Sequence, residues 1–486
     1  MSLKRSAVSG VKWMGMSKAL ATGADFLKLA ILARLLTPSD FGLMGMIRVI
    51  IGFAQAFSDM GFSNAIIYRQ DANQDQLSTI YWLSILTGVL VFALVWVATP
   101  LLVYFYHEPR LRDLLFWAAL SFIITSIGNQ FQVLLQKELH FNCLAGIEVT
   151  AVIIGATIAV VSAVAGQGVF SLIWGQLASA GSMALLLTVF GSKTWRPHLH
   201  FKRDDLKGYM SFGLYQMGER AVNYYTANVD YLIIGRFLGA DILGIYTIAY
   251  ELVVRPISTI NPVVTRVAFP LFAKKQADNA ALRRGYLEVI RLLAFIIFPL
   301  LIGLGVTAPL AIPVFFGKRW VSAIHLVQIL VILGMLKSIE NPIGSILLAK
   351  GRADIGFGMN AFCAAVNTCV FWFVVRYGVY AMAWAEVALC LVYFIVGLTI
   401  LYFIIGLGQS EYFAALIKPT VASSAMGAIV FNAYFLLSRL ALSRSILLLG
   451  LVMLGMTVFG LLMSVFERNY LVGVWNLVTN RKQEIH

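Results

Sequence analysis

The sequence predicts an all-α, polytopic membrane protein with about fourteen transmembrane helices, and three observations carry that prediction. Of its 486 residues 60% are hydrophobic and only 12% are charged, where soluble domains carry roughly 25% charged residues. Mean hydropathy is +0.84, and mostly apolar runs of about 20 residues or more recur along the chain, each long enough to cross a hydrocarbon core as a helix. The lysines and arginines collect in short loops between those runs, so the net charge of +14 reads as membrane topology rather than as a nucleic-acid surface.

Taken in order, the spans are expected at about 11–36, 41–67, 79–106, 112–135, 143–165, 168–190, 208–237, 242–271, 286–316, 321–349, 354–375, 379–405, 414–437 and 445–466. Lys4 and Arg5 precede the first run and Lys12 lies at its very start; the run lacks a clear small-residue cleavage site and is interrupted by Lys18 and Asp25. It is therefore expected to be retained. An even number of spans places both termini on one side. About 20 of the 37 basic residues fall on that side and about 7 on the other, so the termini are expected in the cytoplasm.

The longest predicted cytoplasmic connection, 191–207, separates an N-terminal lobe (1–190, spans 1 to 6) from a C-terminal lobe (208–405, spans 7 to 12). Spans 13 and 14 (406–466) and a cytoplasmic tail (467–486) follow. Internal similarity supports that cut. "LAILARLLTPSDFGL" (29–43) is echoed by "YLIIGRFLGADILGI" (231–245), which aligns Arg34 with Arg236 and Gly42 with Gly244. "VATPL" (97–101) matches "VTAPL" (306–310), and "SIGNQ…LLQK" (126–137) matches "SIENP…LLAK" (338–350). Six spans per repeat is even, so the halves run parallel and should be related by an axis along the membrane normal.

Charges inside spans are costly and normally face a bundle interior or a wet cavity. Here they concentrate in spans 1, 2, 7 and 8: Lys18, Asp25, Lys28, Arg34, Arg48, Asp59, Glu219, Arg220, Asp230, Arg236, Glu251, Arg255 and Arg266. At 100° per residue, Lys18, Thr22, Asp25 and Lys28 share a face. So do Arg48, Gln55 and Asp59; Glu219, Asn223, Thr226 and Asp230; and Glu251, Arg255 and Ser258. Four such stripes are expected to line a central cationic cavity between the lobes. The bland alternative stands beside it: Asp25 with Lys28, and Glu251 with Arg255, have the i,i+3 and i,i+4 spacings of helix ion pairs, and Arg34, Arg236 and Asp59 lie near enough to span ends to snorkel. Eight basic and five acidic residues leave a positive excess suited to an anionic group such as a pyrophosphate, for which arginine is a forked donor.

Pro256, Pro262 and Pro270 punctuate span 8, and Asn261-Pro262 is expected to bend or break it. Asn341-Pro342 raises the same expectation in span 10. Pro256, Pro262 and Pro342 are thus candidate hinges. The four cysteines, Cys143, Cys363, Cys369 and Cys390, form no CxxC pair and read as core thiols. His198 and His200 sit in a basic loop without a metal-ligand pattern, so no metal is expected. No Walker loop, HExxH or nucleophile triad is present, so neither enzymatic activity nor ATP-driven transport is expected of the chain.

With these residues in hand, the sequence resembles the Wzx-type lipid-linked oligosaccharide flippases, and their WzxC-like branch in particular, of the multidrug/oligosaccharidyl-lipid/polysaccharide (MOP) exporter superfamily. The resemblance rests on "LARLLTPSDFGL" (32–43), "YWL" (81–83), "LLQKELHFN" (134–142), "NPVVTRVAFPLFAK" (261–274) and "NPIGSILLAKGRADIGF" (341–357). It implies a bacterial inner-membrane protein that moves an undecaprenyl-pyrophosphate-linked repeat unit of a colanic acid, capsule or O-antigen type from the cytoplasmic to the periplasmic leaflet by alternating access. A polysaccharide polymerase or export complex would act next. Arg34, Arg236 and Arg266 fall inside the matching strings, whereas Lys18, Lys28, Arg48, Arg220 and Arg255 come from charge placement alone. No cofactor is expected beyond coupling to H+ or Na+, with Asp25, Glu219, Asp230 and Glu251 as candidate sites. The main rival is an ion-coupled multidrug exporter of the same superfamily, against which the basic excess argues. A scaffold without transport and a non-pathway scramblase are the others.

Overall fold

The computed structural model describes residues 20–58, 66, 73–202, 205, 210–439 and 443–466, with the side chains of 210–216 and 267 outside the description. All its regular elements are helical. They are α1 (20–35), α2 (Pro38–Ser58), α3 (Gln74–Tyr106), α4 (Leu111–Lys137), α5 (Phe141–Val164), α6 (Phe170–Gly191) and α7 (Met210–Lys274). There follow α8 (Asn279–Phe315), α9 (Ala323–Glu340), α10 (Ile343–Ala349), α11 (Ala353–Val374), α12 (Val379–Ile405), α13 (Gln409–Leu437) and α14 (Arg444–Phe466). Among the described residues 12 helices are long and apolar enough to cross a membrane. One of them, Met217–Lys274, lies within the merged α7, whose 65 residues are two helices joined at Gly239. With its arms separated, and with α10 continuing α9, the helices follow the expected spans in order.

Local chemistry sets the breaks. Between α1 and α2, Thr37 is the N-cap and Pro38 the first helical residue. The Asp40 amide donates to Thr37 Oγ1 at 3.3 Å while the Thr37 amide donates to Asp40 Oδ2 at 2.9 Å, a capping box with proline where its missing N–H costs nothing. The repeat aligns Thr37 with Gly239, and α7 breaks there with φ +82° and ψ 178°, a conformation essentially reserved to glycine. By contrast the backbone stays helical through Pro256, Pro262 and Pro270, so of the bend or break expected at Asn261-Pro262 no break occurs, and the interruption lies 23 residues earlier. Asn341-Pro342 does end a helix: α9 stops at Glu340 and α10 starts at Ile343.

The chain packs into two compact units, one of residues up to Thr247 with Met359–Val379, the other of Ile248–Gly358 with the residues from Tyr380 onward. These units cut across the sequence repeat. In the first, α4 and α5 pack on α6, and α3 packs on α4. Its aromatic core joins Tyr81, Phe131 and Trp195, the last brought in by the 191–202 segment folding over the start of α3. Trp82 Nε1 donates to the His198 carbonyl at 3.0 Å, and Gln74 Nε2 donates to the Arg196 carbonyl at 2.7 Å. On α3 the outward residues Leu90, Leu94, Val97, Leu101 and Tyr104 form an exposed apolar stripe, as a lipid-facing helix requires. Buried threonines such as Thr99 return their hydroxyls to the carbonyl four residues back, which satisfies them without water.

The first unit also holds a backbone-tight crossing. A Cβ on Gly42 would lie 1.7 Å from the Ala240 carbonyl oxygen, and one on Gly244 would lie 1.8 Å from that of Pro38. The alignment pairs Gly42 with Gly244 and Pro38 with Ala240, so the two contacts are reciprocal under the sequence repeat. In the second unit α8 packs on α9, α13 and α14. One apolar cluster is centred on Leu282, Ile290, Ile346 and Leu401, and another on Met426, Val430 and Leu451.

Candidate substrate cleft and intramembrane charges

In the first unit, α2, α3 and the first arm of α7 enclose a cleft of about 650 Å³. Its walls are almost wholly apolar, with Phe53 and Phe57 from α2, Leu94 and Leu101 from α3, and Leu232 from α7. Leu94, Leu101 and Tyr104 belong to the exposed stripe of α3, so the cleft opens on the apolar side. Polar groups are few. Tyr224 crosses to α2, where its hydroxyl donates to the Arg48 carbonyl at 2.7 Å. Gly52 makes that approach possible, since a Cβ there would lie 2.0 Å from the hydroxyl. Tyr225 shares a hydrogen bond of 2.9 Å with Thr368 of α11.

Arg236 supplies the cleft's cation. Its guanidinium donates to His107 Nδ1 and lies over the rings of Phe105 and Phe237 at 5.6 and 5.7 Å, an arrangement that attracts a cation electrostatically. His107 is the left-handed C-cap of α3, φ +54°. Just beyond it Arg110 pairs with Glu108 at 2.8 Å and donates to Ser39 Oγ at 3.0 Å. That hydrogen-bonded ion pair holds the Glu108 carboxyl below its ordinary value of 4.5.

The other sequence-selected residues divide into several groups. Asp25 and Lys28 form an ion pair of 2.6 Å, and Glu251 and Arg255 form one of 3.0 Å, so both i,i+3 and i,i+4 pairings are real. Asn223 accepts from Asn360 Nδ2 at 2.8 Å, and Thr226 donates to the Asn360 carbonyl at 3.4 Å. That part of the α7 stripe is therefore joined to α11. Asp230 is 4% exposed and accepts from the Tyr246 hydroxyl at 2.7 Å. Arg34, Arg48, Glu219, Arg266 and Pro262 are exposed, Arg220 and Pro256 are half-buried, and Pro342 is buried. Lys18 and Asp59 lie outside the described residues. In the 191–202 segment His198 pairs with Asp75 at 2.8 Å and with Ser78 at 3.0 Å. Together with His200, Asp75 and His198 present ligand atoms within 4.8 Å of one another; His200 is itself paired with Asp205 at 2.9 Å.

The second unit contains a cluster that charge counting by span did not single out. Lys337 of α9 donates to Glu386 of α12 at 2.8 Å and to the Tyr250 hydroxyl at 2.9 Å. One turn on, Glu340 accepts from the Cys390 thiol at 3.5 Å. The signal was present: Lys337 and Glu340 three apart in one apolar run, and Glu386 in another.

Comparison of whole structures defines the class. The lipid II flippase MurJ, in an inward closed conformation, superposes with TM-score 0.74 over 96% of this chain and 100% of that one at 13% identity. A multidrug resistance MATE family transporter of the MOP superfamily superposes at 0.61 over 79% of this chain and 95% of that one at 15% identity. The chain thus has the all-helical fold of the MOP transporters. Sequence comparison narrows this: residues 31–325 match the family model described as "Polysaccharide biosynthesis protein", and the chain belongs to that family. It is 36% identical to the teichuronic acid biosynthesis protein TuaB of Bacillus subtilis (strain 168) over 89% of each chain. To the lipopolysaccharide biosynthesis protein WzxC of Escherichia coli (strain K12) it is 37% identical over 74% of each chain.

Proposed function

We propose that this protein is a flippase for a lipid-linked oligosaccharide, carrying an undecaprenyl-pyrophosphate-linked repeat unit across the bacterial inner membrane by alternating access, with both termini cytoplasmic. The observation that carries the reading is the cleft of about 650 Å³ with Arg236 in its wall. An apolar channel open on the lipid side, with one cation, suits a molecule with a long hydrocarbon tail and an anionic head, since an arginine meets phosphate oxygens with paired donors. Membership of the polysaccharide biosynthesis family, and the names of TuaB and WzxC, support a saccharide cargo destined for the cell surface. In this reading the eight intramembrane basic residues selected from the sequence guide the headgroup through a cationic cavity between the repeat halves, Asp25, Asp59, Glu219, Asp230 and Glu251 balance their charge, Asn223 adds a polar lining group, and a polymerase takes the product. Multidrug export is the weaker reading because the intramembrane excess is basic, whereas a drug cation calls for acidic groups.

The test is deletion of the gene followed by identification of the lipid-linked intermediates left in the cytoplasmic leaflet, with complementation by Arg236→Gln. Accumulation of a lipid-linked oligosaccharide is expected, and the variant should support export at a rate reduced about tenfold or more, the loss of one charge-assisted hydrogen bond. A strain that accumulates no such lipid refutes the proposal.

A further inference from the structure

In α9 and α12, Lys337, Glu340 and Glu386 bring two carboxylates and one ammonium into the apolar interior of the second unit. Lys337 lies about 21 Å along α9 from Ala323 at 1.5 Å per residue, well inside a span of 27 residues. The ammonium is committed to Glu386 at 2.8 Å and to Tyr250 at 2.9 Å. Among the described residues Glu340 has no cation within ion-pair distance, and its hydrogen bond is the 3.5 Å contact from the Cys390 thiol. Tyr286 of α8 and Tyr412 of α13, with ring centroids 6.3 Å apart, belong to the same apolar cluster as Ile339 and Ile343, which flank this stretch of chain. Both rings are fully buried, and among the described residues neither hydroxyl makes a hydrogen bond of ordinary geometry.

A carboxylate in such a place is expensive unless something neutralises it. A hard metal cation needs several oxygen ligands. Here the direct contact is a thiol, and the nearest ammonium repels a second cation. A proton needs no coordination shell. It turns Glu340 into a hydrogen-bond donor in an interior that also buries the hydroxyls of Tyr286 and Tyr412.

We propose that Glu340 is an intramembrane proton-binding site whose loading and release is coupled to transport, a coupling that rests on the flippase reading above. In each cycle one proton from water on one face forms an O–H bond with the Glu340 carboxylate. The same bond breaks when the proton leaves to water on the other face, and no other bond changes. The Lys337–Glu386 pair fixes α9 against α12, so that Glu340, one turn away at the end of α9 and beside the Asn341-Pro342 break, is where a change of charge acts on the helix end.

The full-length protein is reconstituted in proteoliposomes containing a fluorescently labelled polyprenyl-pyrophosphate oligosaccharide, and flipping is measured with and without an imposed pH gradient. Infrared pH-difference spectra are recorded on the same vesicles. The wild type should flip faster with the gradient, by up to about tenfold for one proton and one pH unit, and should show a protonated-carboxyl band. Glu340→Gln should abolish the gradient dependence and remove that band, whereas Glu340→Asp should keep both, which separates loss of the proton site from loss of fold. A band that persists in E340Q, a wild-type rate indifferent to pH but driven by a sodium gradient, or an unchanged pH response in E340Q overturns the proposal. Absence of flipping by the wild type under every gradient refutes the flippase reading instead, and the infrared band then decides the proton site alone.

Discussion

Replacing Gly42 by alanine puts a methyl group 1.7 Å from the Ala240 carbonyl oxygen, where Cβ contacts below 3.0 Å essentially never occur. The obstructing atom is backbone at the start of a helix, so no rotamer change relieves the clash, and the two helices must part by about 1.3 Å. Overpacking of this kind costs about 1–3 kcal/mol in cores, and the rigid partner places this site at the upper end. Alanine's better helix propensity returns about 1 kcal/mol, leaving a net loss of about 2 kcal/mol. Gly146→Ala in α5 is the control, because nothing lies within 4 Å of its added Cβ, and it should be neutral or slightly stabilising. Gly244→Ala should match Gly42→Ala, with its Cβ 1.8 Å from the Pro38 oxygen. The double variant should cost less than the two losses summed, because the first substitution already opens the gap that the second needs. The assay is thermal unfolding of the purified variants in detergent with a lipid additive. A Gly42→Ala protein as stable as the Gly146→Ala control, or strict additivity of Gly42 and Gly244, refutes the reasoning.

Further expectations concern the charges and caps. Lys337→Met should destabilise the fold by about 3–5 kcal/mol, since it leaves Glu386 buried beside Tyr250 without its cation, and adding Glu386→Gln should recover a substantial part in the same melting assay. Asn73→Ala should cost about 1 kcal/mol, because the Asn73 side chain accepts from the Gln76 amide at 2.8 Å in the capping box of α3. Glu108 titrates lower when paired with Arg110, so the stability this pair contributes is fully present above pH 4.5 and is lost as pH falls through the lowered value. Melting temperature against pH should show an acid-limb slope that Glu108→Gln reduces, and an identical slope in the variant counts against the pair.

The positions of the helices were legible in the sequence because a bilayer imposes one length and one composition on every span. The α1–α2 junction and the Gly239 bend were foreshadowed by the repeat, which sets Thr37 opposite Gly239. The prolines carried half of the expectation: Asn341-Pro342 ends a helix, whereas α7 runs on through Pro262 without a break, since bends and neighbouring groups absorb the lost hydrogen bond in membrane helices. Ion pairs within one helix, Asp25 with Lys28 and Glu251 with Arg255, could be read from spacing. Those that need folding could not. Asn223 meets Asn360 across 137 residues of chain, and Lys337 meets Glu386 across 49, distances over which helical periodicity carries no information. Arg236 was chosen for its charge and its place in a repeated string, but its aromatic seat and the cleft beside it emerge only when α2, α3 and α7 are assembled.

The reciprocity of the Gly42 and Gly244 contacts has the geometry of an isologous interface, in which one surface meets its own copy and each contact occurs twice. Such interfaces ordinarily join two chains; here both copies lie on a single polypeptide. A small residue favoured at one copy is therefore favoured at the other for the same steric reason. Because the two contacts are images of one another, a displacement that releases the first releases the second, and the crossing is made or lost as one event.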